Sequence, residues 1–259
     1  MAATASLATE TERLPGIAVF LPCHNEEGNV ERLVAALSAE LPRIARSYQI
    51  VVVDDGSRDR TGELADRIAA ADAHVKAIHH PVNRGYGAAV ISGIRACTEP
   101  WAVLCDGDGQ FDAGDIAKLA ARVPAYDVVV GHRVRRADPL MRIVNGKAWT
   151  LLMRLVLGIR VRDIDCGLKL FRRDLLDGID LQAKGAMISA ELMAQLVGRG
   201  ARICEVDVRH LPRLSGEQSG ANFKVIARAF KELFLLQVRL RRARRQAEAS
   251  QRSSASESH

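Results

Sequence analysis

Short apolar runs alternate, along the first half of the chain, with segments whose apolar residues recur at helical spacing. The runs predict five buried strands at 17–21, 50–53, 75–78, 101–104 and 127–131. Helical spacing predicts a helix after each of the first four strands. Because strands that alternate with helices are joined by crossover connections, we predict an α/β fold with a mostly parallel central sheet flanked by helices.

The second half of the chain departs from this strict alternation. A helical pattern at 140–157 is followed by a strand at 166–171, a helix at 186–197 and a strand at 202–208. A basic loop at 210–220, rich in serine and glycine, then leads into a long amphipathic helix. We divide the chain into four parts, which are a disordered N-terminus at 1–14, one domain at 15–220, a basic helix at 221–246 and a disordered tail at 247–259.

The composition is that of an ordinary globular protein, since 48% of the 259 residues are hydrophobic and 26% are charged. No apolar run reaches the roughly 18 residues that a membrane-spanning helix needs, and the first residues lack the features of a signal peptide. Five scattered cysteines without a C-x-x-C pair favour reduced thiols over disulfides or a zinc site. We therefore expect a cytoplasmic protein.

The most informative stretch is the acidic segment 105–112, which directly follows the predicted strand at 101–104. Asp106 and Asp108 stand on either side of Gly107, so both carboxylates can reach one cation. A hard divalent ion such as Mg²⁺ or Mn²⁺ binds carboxylate oxygens together with substrate phosphates, which indicates a diphosphate ligand. The alternative is a solvated acidic turn, because Asp and Gly are also common turn residues.

Polar clusters at the ends of other predicted strands favour the metal interpretation. These clusters are residues 22–26, Asp54 with Asp55, and His132 with Arg133. In open parallel sheets, ligands bind at the carboxyl ends of the strands, where these clusters would meet. We predict a site for a metal ion and a diphosphate at this edge of the sheet.

Four ordered motifs resemble those of family 2 glycosyltransferases, which have the GT-A fold. The motifs are 21–26 (Leu-Pro-Cys-His-Asn-Glu), 53–57 with Asp59 and Thr61, 83–87 (Asn-Arg-Gly-Tyr-Gly) and 106–108 (Asp-Gly-Asp). Residues 163–167 and 213–219 resemble the branch that transfers sugars to dolichol phosphate or other polyprenyl phosphates, although His24 stands where an aromatic residue is usual and Cys166 where serine is usual. The resemblance implies a Rossmann-like nucleotide-binding half, an acceptor half, and transfer of a hexose from a UDP- or GDP-sugar with inversion.

The resemblance also implies roles for individual residues. Asp54 or Asp55 would accept a hydrogen bond from the base or ribose, while Asp106, Asp108 and Gln110 would hold the Mg²⁺ or Mn²⁺ ion. Further contacts to the nucleotide sugar would come from Pro22, His24, Asn25, Glu26, Arg84 and Gly107. For these residues the alternative is an ordinary structural role at a strand end, in a turn or on the surface.

The remaining catalytic candidates depend on whether the acceptor is a phosphate or a hydroxyl group. A phosphate monoester is largely ionised near neutral pH, because its second pKa is about 6, and it needs no protein base to attack the anomeric carbon. Arg133 and Arg213 would hold such an acceptor, since arginine pairs with phosphate through two hydrogen bonds. A hydroxyl acceptor would instead need a carboxylate base, for which Asp165 or Asp163 is the candidate. The catalytic candidates are therefore Asp108, Arg133, Arg213 and Asp165.

The C-terminal helix carries apolar residues at helical spacing between basic ones, namely Phe223, Ile226, Phe230, Leu233, Phe234 and Val238. This pattern is typical of a helix on anionic lipid at the cytoplasmic membrane face, or against a membrane subunit. The alternative is a helix packed on its own domain.

A net charge of +6 fits an anionic partner, but few aromatic residues and no nucleic-acid-binding motif lead us to exclude nucleic acid.

Our leading hypothesis is an inverting, metal-dependent glycosyltransferase that makes a polyprenyl-phosphate sugar. The nearest alternative keeps the donor site but glycosylates a hydroxyl of a soluble small molecule or a polysaccharide. The non-enzyme alternative is a regulatory subunit of a membrane transferase. The sequence leaves open the donor base, the sugar, the acceptor and the oligomeric state.

Overall fold

The computed structural model describes residues 13–134, 140–185, 187–213 and 232–240. Its strands are β1 (Leu14–Cys23), β2 (Ala45–Asp54), β3 (Val75–His79), β4 (Trp101–Cys105), β5 (Val128–Arg133), β6 (Leu168–Arg172) and β7 (Ile203–Val208). Its helices are α1 (Val30–Ile44), α2 (Thr61–Ala71), α3 (Tyr86–Ala96), α4 (Asp115–Ala120), α5 (Leu140–Leu157), α6 (Met187–Gly198) and α7 (residues 232–240).

The seven strands form one sheet in the order β3-β2-β1-β4-β6-β5-β7. Only β6 runs antiparallel to its neighbours β4 and β5, so the predicted mostly parallel sheet is confirmed. The chain moves outward from β1 to β2 and β3, and then returns to place β4 on the other side of β1. Such a reversal opens a crevice beyond the carboxyl ends of β1 and β4, which is where open α/β sheets bind ligands.

The first two strands are longer than the apolar pattern predicts. They pair in parallel from Leu14 opposite Ala45 to Cys23 opposite Asp54, whereas the apolar runs cover only 17–21 and 50–53. Backbone hydrogen bonds continue a strand past its buried residues, so the half-buried and exposed residues 46–49 also belong to β2. The strand ends that carry the polar motifs are nevertheless the predicted ones.

Two apolar layers cover the two faces of the sheet. In β1, Ile17, Val19 and Leu21 belong to one layer, while Ala18 and Phe20 belong to the other, as expected for side chains that alternate along a strand. The first layer includes buried residues of α1, α2 and α4, and the second includes those of α3, α5, α6 and α7. All five cysteines are free thiols, and four of them are buried in these layers.

Asp127 joins three neighbouring strands, β5, β6 and β7, at one edge of the sheet. Its carboxylate accepts hydrogen bonds from Arg202 at 2.9 and 3.0 Å and from Arg172 at 2.7 Å. The hydrogen bonds from Arg202 lower the pKa of Asp127 to about 2. One carboxylate thus joins the segments that begin β5, end β6 and begin β7.

Only part of the predicted C-terminal region lies within the described residues. Residues 232–240 of the helix predicted over 221–246 are helical, and the rest of that helix, the predicted tail at 247–259, residues 1–12 and most of the loop at 210–220 fall outside them. The prediction that the N-terminal part extends to residue 14 is wrong, because Leu14 already pairs with Ala45 as the first residue of β1. No helix in the described ranges is both long enough and apolar enough to cross a membrane.

Candidate active site

The acidic segment after β4 is clamped between two other loops. Gly107 donates its N–H to the Pro22 carbonyl at 3.3 Å, and Asp106 donates its N–H to the Gly167 carbonyl at 3.0 Å. A Cβ atom on Gly107 would overlap the Cys23 sulfur, so the end of β1 and the acidic segment can approach this closely only because residue 107 is glycine. Both aspartates are therefore held at the crevice between β1 and β4.

The Asp106 carboxylate is surrounded by protein groups. Tyr86 donates its hydroxyl to Asp106 Oδ1 at 2.7 Å, and a Cβ atom on Gly167 would overlap Asp106 Oδ2. Burial raises the pKa of Asp106, while the Tyr86 hydroxyl and the positive charges of Lys169 and Arg133 oppose the rise.

The Asp108 carboxylate lies in a similarly enclosed position. Burial, followed by the negative charge of Asp106, raises the pKa of Asp108 to about 6, although the Gln110 N–H and Arg213 oppose this rise. A half-buried carboxylate whose pKa is raised by a neighbouring carboxylate lies where a cation is favoured.

Arg213 reaches this pair from the segment that follows β7. Its guanidinium forms an ion pair with Glu26 in the loop after β1 and lies 3.9 Å from Asp108 Oδ2. Burial raises the pKa of Glu26, against the hydrogen bond from Asn29 and the charge of Arg213. One cation therefore connects the loop after β1 with the acidic segment after β4.

Gln110 anchors the segment that carries Arg213. Its side-chain amide donates to the Leu211 carbonyl at 3.1 Å, and the Leu211 N–H donates back to the Gln110 carbonyl at 2.8 Å. Gln110, which is also a predicted metal ligand, therefore holds residues 211–213 in place.

The residues at this site fit a divalent ion that also binds a substrate diphosphate. Asp106 and Asp108 supply hard oxygen ligands, and Mg²⁺ characteristically uses one or two carboxylates together with waters and phosphates. Within the described ranges no group of three or more His, Cys, Asp or Glu side chains is arranged to hold a metal by itself.

A cleft of about 420 Å³ lies among the loops that follow β1, β2 and β3, at the same edge of the sheet as the acidic pair. Its lining residues are His24, Asn25, Gly56, Ser57, Arg58, Pro81, Val82 and Asn83. His24 Nδ1 donates to the Asp55 carbonyl at 3.0 Å, which leaves Nε2 to accept from the Asn25 amide at 3.3 Å. Asn25 has a positive φ of 57°, a backbone conformation that Asn tolerates better than most residues.

The carboxylates of Asp54 and Asp55 are bonded to the segments that follow β2 and β3 and do not line this cleft. The Asp54 carboxylate accepts from the Ser57 N–H at 3.0 Å and contacts His79 at 3.2 Å. The Asp55 carboxylate contacts His80 at 2.6 Å and accepts from the backbone N–H groups of residues 84 and 85. The side chain of Arg84 is exposed beside the cleft.

A second set of charges lies at the end of β5 and in the segment before β6, and the Arg133 charge acts on Asp106. Arg133, at the end of β5, donates to both carboxylate oxygens of Asp163 at 2.7 and 2.8 Å. Burial opposes the Arg133 cation, but this pairing outweighs it and raises the pKa of Arg133. Asp165 is half-buried two residues further along the chain.

Sequence reasoning gave no individual role to three residues at the centre of this arrangement, although two of them lie in the motifs at 83–87 and 163–167. They are Tyr86 and Gly167, which confine Asp106, and Lys169, which is 1% exposed on β6 and donates to the Cys166 carbonyl. Burial lowers the pKa of Lys169, while the neighbouring acidic groups oppose this. The signal available for Lys169 was a single charge inside the apolar strand 168–171.

Comparisons with known proteins agree with this geometry. Residues 18–179 match the family model described as glycosyl transferase family 2. Polyprenol monophosphomannose synthase of Mycolicibacterium smegmatis is 32% identical over 221 residues, which cover 80% of this chain and 82% of that protein. An undecaprenyl-phosphate 4-deoxy-4-formamido-L-arabinose transferase of Pseudomonas aeruginosa is 28% identical over 213 residues, covering 81% of this chain and 62% of that protein.

Solved structures support the fold. Glucosyl-3-phosphoglycerate synthase of Mycobacterium tuberculosis superposes with a TM-score of 0.65 at 18% identity, over 88% of this chain and 80% of that one. Another structure of that enzyme, with a TM-score of 0.64, is a complex with Mn²⁺, UDP and glucosyl-3-phosphoglycerate. The predicted GT-A fold and the predicted resemblance are both confirmed, and the chain belongs to glycosyl transferase family 2.

Proposed function

We propose that this glycosyltransferase moves a hexose from a UDP- or GDP-sugar to a polyprenyl phosphate, with inversion at the anomeric carbon. The observation that carries the proposal is the half-buried Asp106 and Asp108 pair, at the same edge of the sheet as a cleft formed by the loops after β1, β2 and β3. The similarity to polyprenol monophosphomannose synthase supports the choice of acceptor.

The donor would lie along the carboxyl ends of β2, β1 and β4. Its base and ribose would occupy the cleft beside His24 and Asn25, and its diphosphate would extend towards Asp106 and Asp108. When bound, Mg²⁺ or Mn²⁺ would neutralise the diphosphate and stabilise the charge of the leaving nucleotide. Asp106, Asp108 and the side-chain oxygen of Gln110 are the residues proposed to hold the ion.

The acceptor phosphate would approach from the side of Arg133 and Arg213. One of its oxygens forms the new bond to the anomeric carbon while the bond from that carbon to the diphosphate oxygen breaks, so a single displacement inverts the configuration. The ionised phosphate carries no proton to remove, so the reaction needs cations more than a base. Arg133 is held rigidly by Asp163, which orients its remaining N–H groups for a phosphate.

A donor and acceptor screen tests this proposal. The purified full-length chain is incubated with Mg²⁺ or Mn²⁺ and a UDP- or GDP-hexose, with or without polyprenyl phosphate, and released nucleoside diphosphate is measured. We expect the lipid phosphate to stimulate release and the sugar to appear in the lipid product. Stimulation by alcohols alone would instead favour the hydroxyl-acceptor alternative, with Asp165 as the base. Absence of transfer with every donor would favour the regulatory-subunit alternative.

We also propose that α5 and α7 together form a surface that contacts anionic lipid. Val144, Leu151 and Leu155 are exposed along one side of α5, at spacings that place them on one helix face. The exposed Lys147 and Arg154 lie on the same side. An exposed apolar stripe flanked by cations is typical of helices that lie on anionic membranes.

The helix α7 has one side that packs on its own domain and another that exposes apolar side chains. Leu233 and Leu236 pack into the apolar layer, and Arg239 forms an ion pair with Glu191 at 2.9 Å. Phe234 remains 68% exposed, and Gln237 donates to the Val156 carbonyl of the α5 helix at 2.9 Å. The helix therefore packs on its domain while it leaves apolar side chains next to the exposed face of α5.

Vesicle flotation measures this contact. The full chain is expected to float with vesicles that contain anionic lipid, and binding should weaken as salt screens the charges. A double Leu155→Gln, Phe234→Gln variant should float several-fold less while it keeps its melting temperature, because both side chains are exposed. Equal flotation of the variant would contradict this surface as the site of membrane contact, as would equal binding to neutral vesicles.

A further inference from the structure

Tyr86 confines Asp106, but it has no part in the proposed binding of the donor or the acceptor. We propose that Tyr86 positions the Asp106 carboxylate for the divalent ion, an inference that rests on the proposed function. Its hydroxyl donates to Asp106 Oδ1 at 2.7 Å. Tyr86 is therefore a positioning residue, which acts on the ion and the donor through Asp106.

The backbone around Tyr86 is fixed on both sides. Gly85 has a φ of 93°, which favours glycine, and donates its N–H to Asp55 Oδ2 at 2.8 Å. Gly87 donates its N–H to the Lys184 carbonyl at 2.9 Å, and a Cβ atom on Gly87 would overlap the Ala183 carbonyl oxygen. The start of α3 thus cannot shift without breaking contacts to the loop after β2 and to residues 183–184.

The side chain of Tyr86 has equally little freedom. Its ring packs against the apolar layer that includes α3, α5 and α6, and its hydroxyl extends from there to the acidic segment. The hydroxyl therefore meets Asp106 at one defined position.

Asp106 is confined from the opposite side by the turn before β6. Its N–H donates to the Gly167 carbonyl at 3.0 Å, and its Oδ2 atom rests against the Gly167 backbone so closely that a Cβ atom there would overlap it. The carboxylate therefore lies between a hydroxyl and a backbone, with one orientation available. A ligand that is already oriented loses less entropy when it binds an ion, which is how hydrogen-bonded partners of metal ligands strengthen binding.

The Tyr86→Phe variant separates positioning from packing, because it keeps the ring and removes only the hydroxyl. Tyr48→Phe is the matched control, since Tyr48 lies on β2 and stacks on His74 outside the site. Mn²⁺ binding to each full-length protein is measured by electron paramagnetic resonance, in the presence of UDP and, separately, of GDP. Thermal unfolding of each metal-free protein is measured in parallel.

We expect Tyr86→Phe to bind Mn²⁺ about 10- to 100-fold more weakly than the wild type, the range seen when hydrogen-bonded partners of metal ligands are removed. Its melting temperature should change by no more than a few degrees, and transfer should recover partly at high Mn²⁺. Tyr48→Phe should match the wild type in Mn²⁺ affinity.

Unchanged Mn²⁺ affinity in Tyr86→Phe would overturn the positioning role, whether or not the melting temperature falls. If the wild-type protein itself bound no Mn²⁺ with either nucleotide, the metal requirement of the proposed function would fail, and the role of Tyr86 with it. The two failures are therefore distinguished by the wild-type measurement alone.

Discussion

Replacing Asp108 with asparagine is expected to reduce transfer by about 1,000-fold or more and to leave the fold intact. The carboxylate is proposed to bind the ion that stabilises the leaving nucleotide, and such an ion contributes several kcal/mol to the transition state. Steady-state release of nucleoside diphosphate with saturating Mn²⁺ gives the measurement. Asp174→Asn is the matched control, because Asp174 is exposed and pairs with Arg172 at the surface, away from the acidic pair.

The same variant should change how the stability of the metal-free protein depends on pH. The pKa of Asp108 is raised from its ordinary value of 3.8 to about 6, so the folded protein holds this proton more tightly than the unfolded chain. The wild-type protein should therefore lose stability as the pH rises from about 4 to 7, by an amount on the order of 2 kcal/mol.

Asparagine has no charge to bury, so Asp108→Asn should be the more stable protein at pH 8 and lose that advantage near pH 4. Chemical denaturation with a chelator present measures the difference. Full transfer activity in Asp108→Asn would contradict the assigned metal role, and a uniform loss of stability at every pH would indicate a damaged fold.

Replacing Arg213 with glutamine is expected to lower kcat/KM by about 100- to 1,000-fold, the loss typical when one electrostatic group at a reacting centre is removed. Arg213 is the cation that lies between Glu26 and Asp108, and we propose that it contacts the phosphate groups of the reactants. Arg213→Lys should restore only part of the activity, because lysine keeps the charge but lacks the planar pair of donors.

Arg209→Gln serves as the control for this experiment. Arg209 lies in the same segment, and its substitution by glutamine removes the same charge. Its side chain pairs with Asp112 and Asp115 and not with the acidic pair. It should retain nearly full kcat/KM. If both variants lost activity equally, the effect would come from the position of the whole segment or from net charge, and the specific role of Arg213 would be rejected.

The parts of the site that lie at strand ends could be predicted from local sequence. Asp106 and Asp108 follow an apolar strand and stand beside glycines, and residues 22–26 follow another such strand. Parallel strands bring their carboxyl ends to one edge, so the pattern alone predicts that these groups meet. The structure places Gly107 against Pro22 as this reasoning expects.

Other contacts at the site join residues that are far apart in the sequence, so no local sequence pattern predicts them. Arg213 meets Glu26 although the two are 187 residues apart, because Gln110 fixes the segment after β7 through Leu211. Asp54 and Asp55 were assigned to the nucleotide, yet their carboxylates also contact His79 and His80 on the neighbouring chain segment. Which side of a strand end a carboxylate faces is decided by the loops packed around it.

The sequence by itself determined the order of strands and helices, the family, and the acidic pair at the end of β4. These follow from hydrophobic spacing and from motifs of a few neighbouring residues, which act over short distances along the chain. Only the tertiary structure decided that Tyr86 and Gly167 confine Asp106 and that Lys169 is buried in β6. The physical reason is that hydrogen bonding, close packing and burial are set by atoms that become neighbours only when distant segments of the chain are folded together.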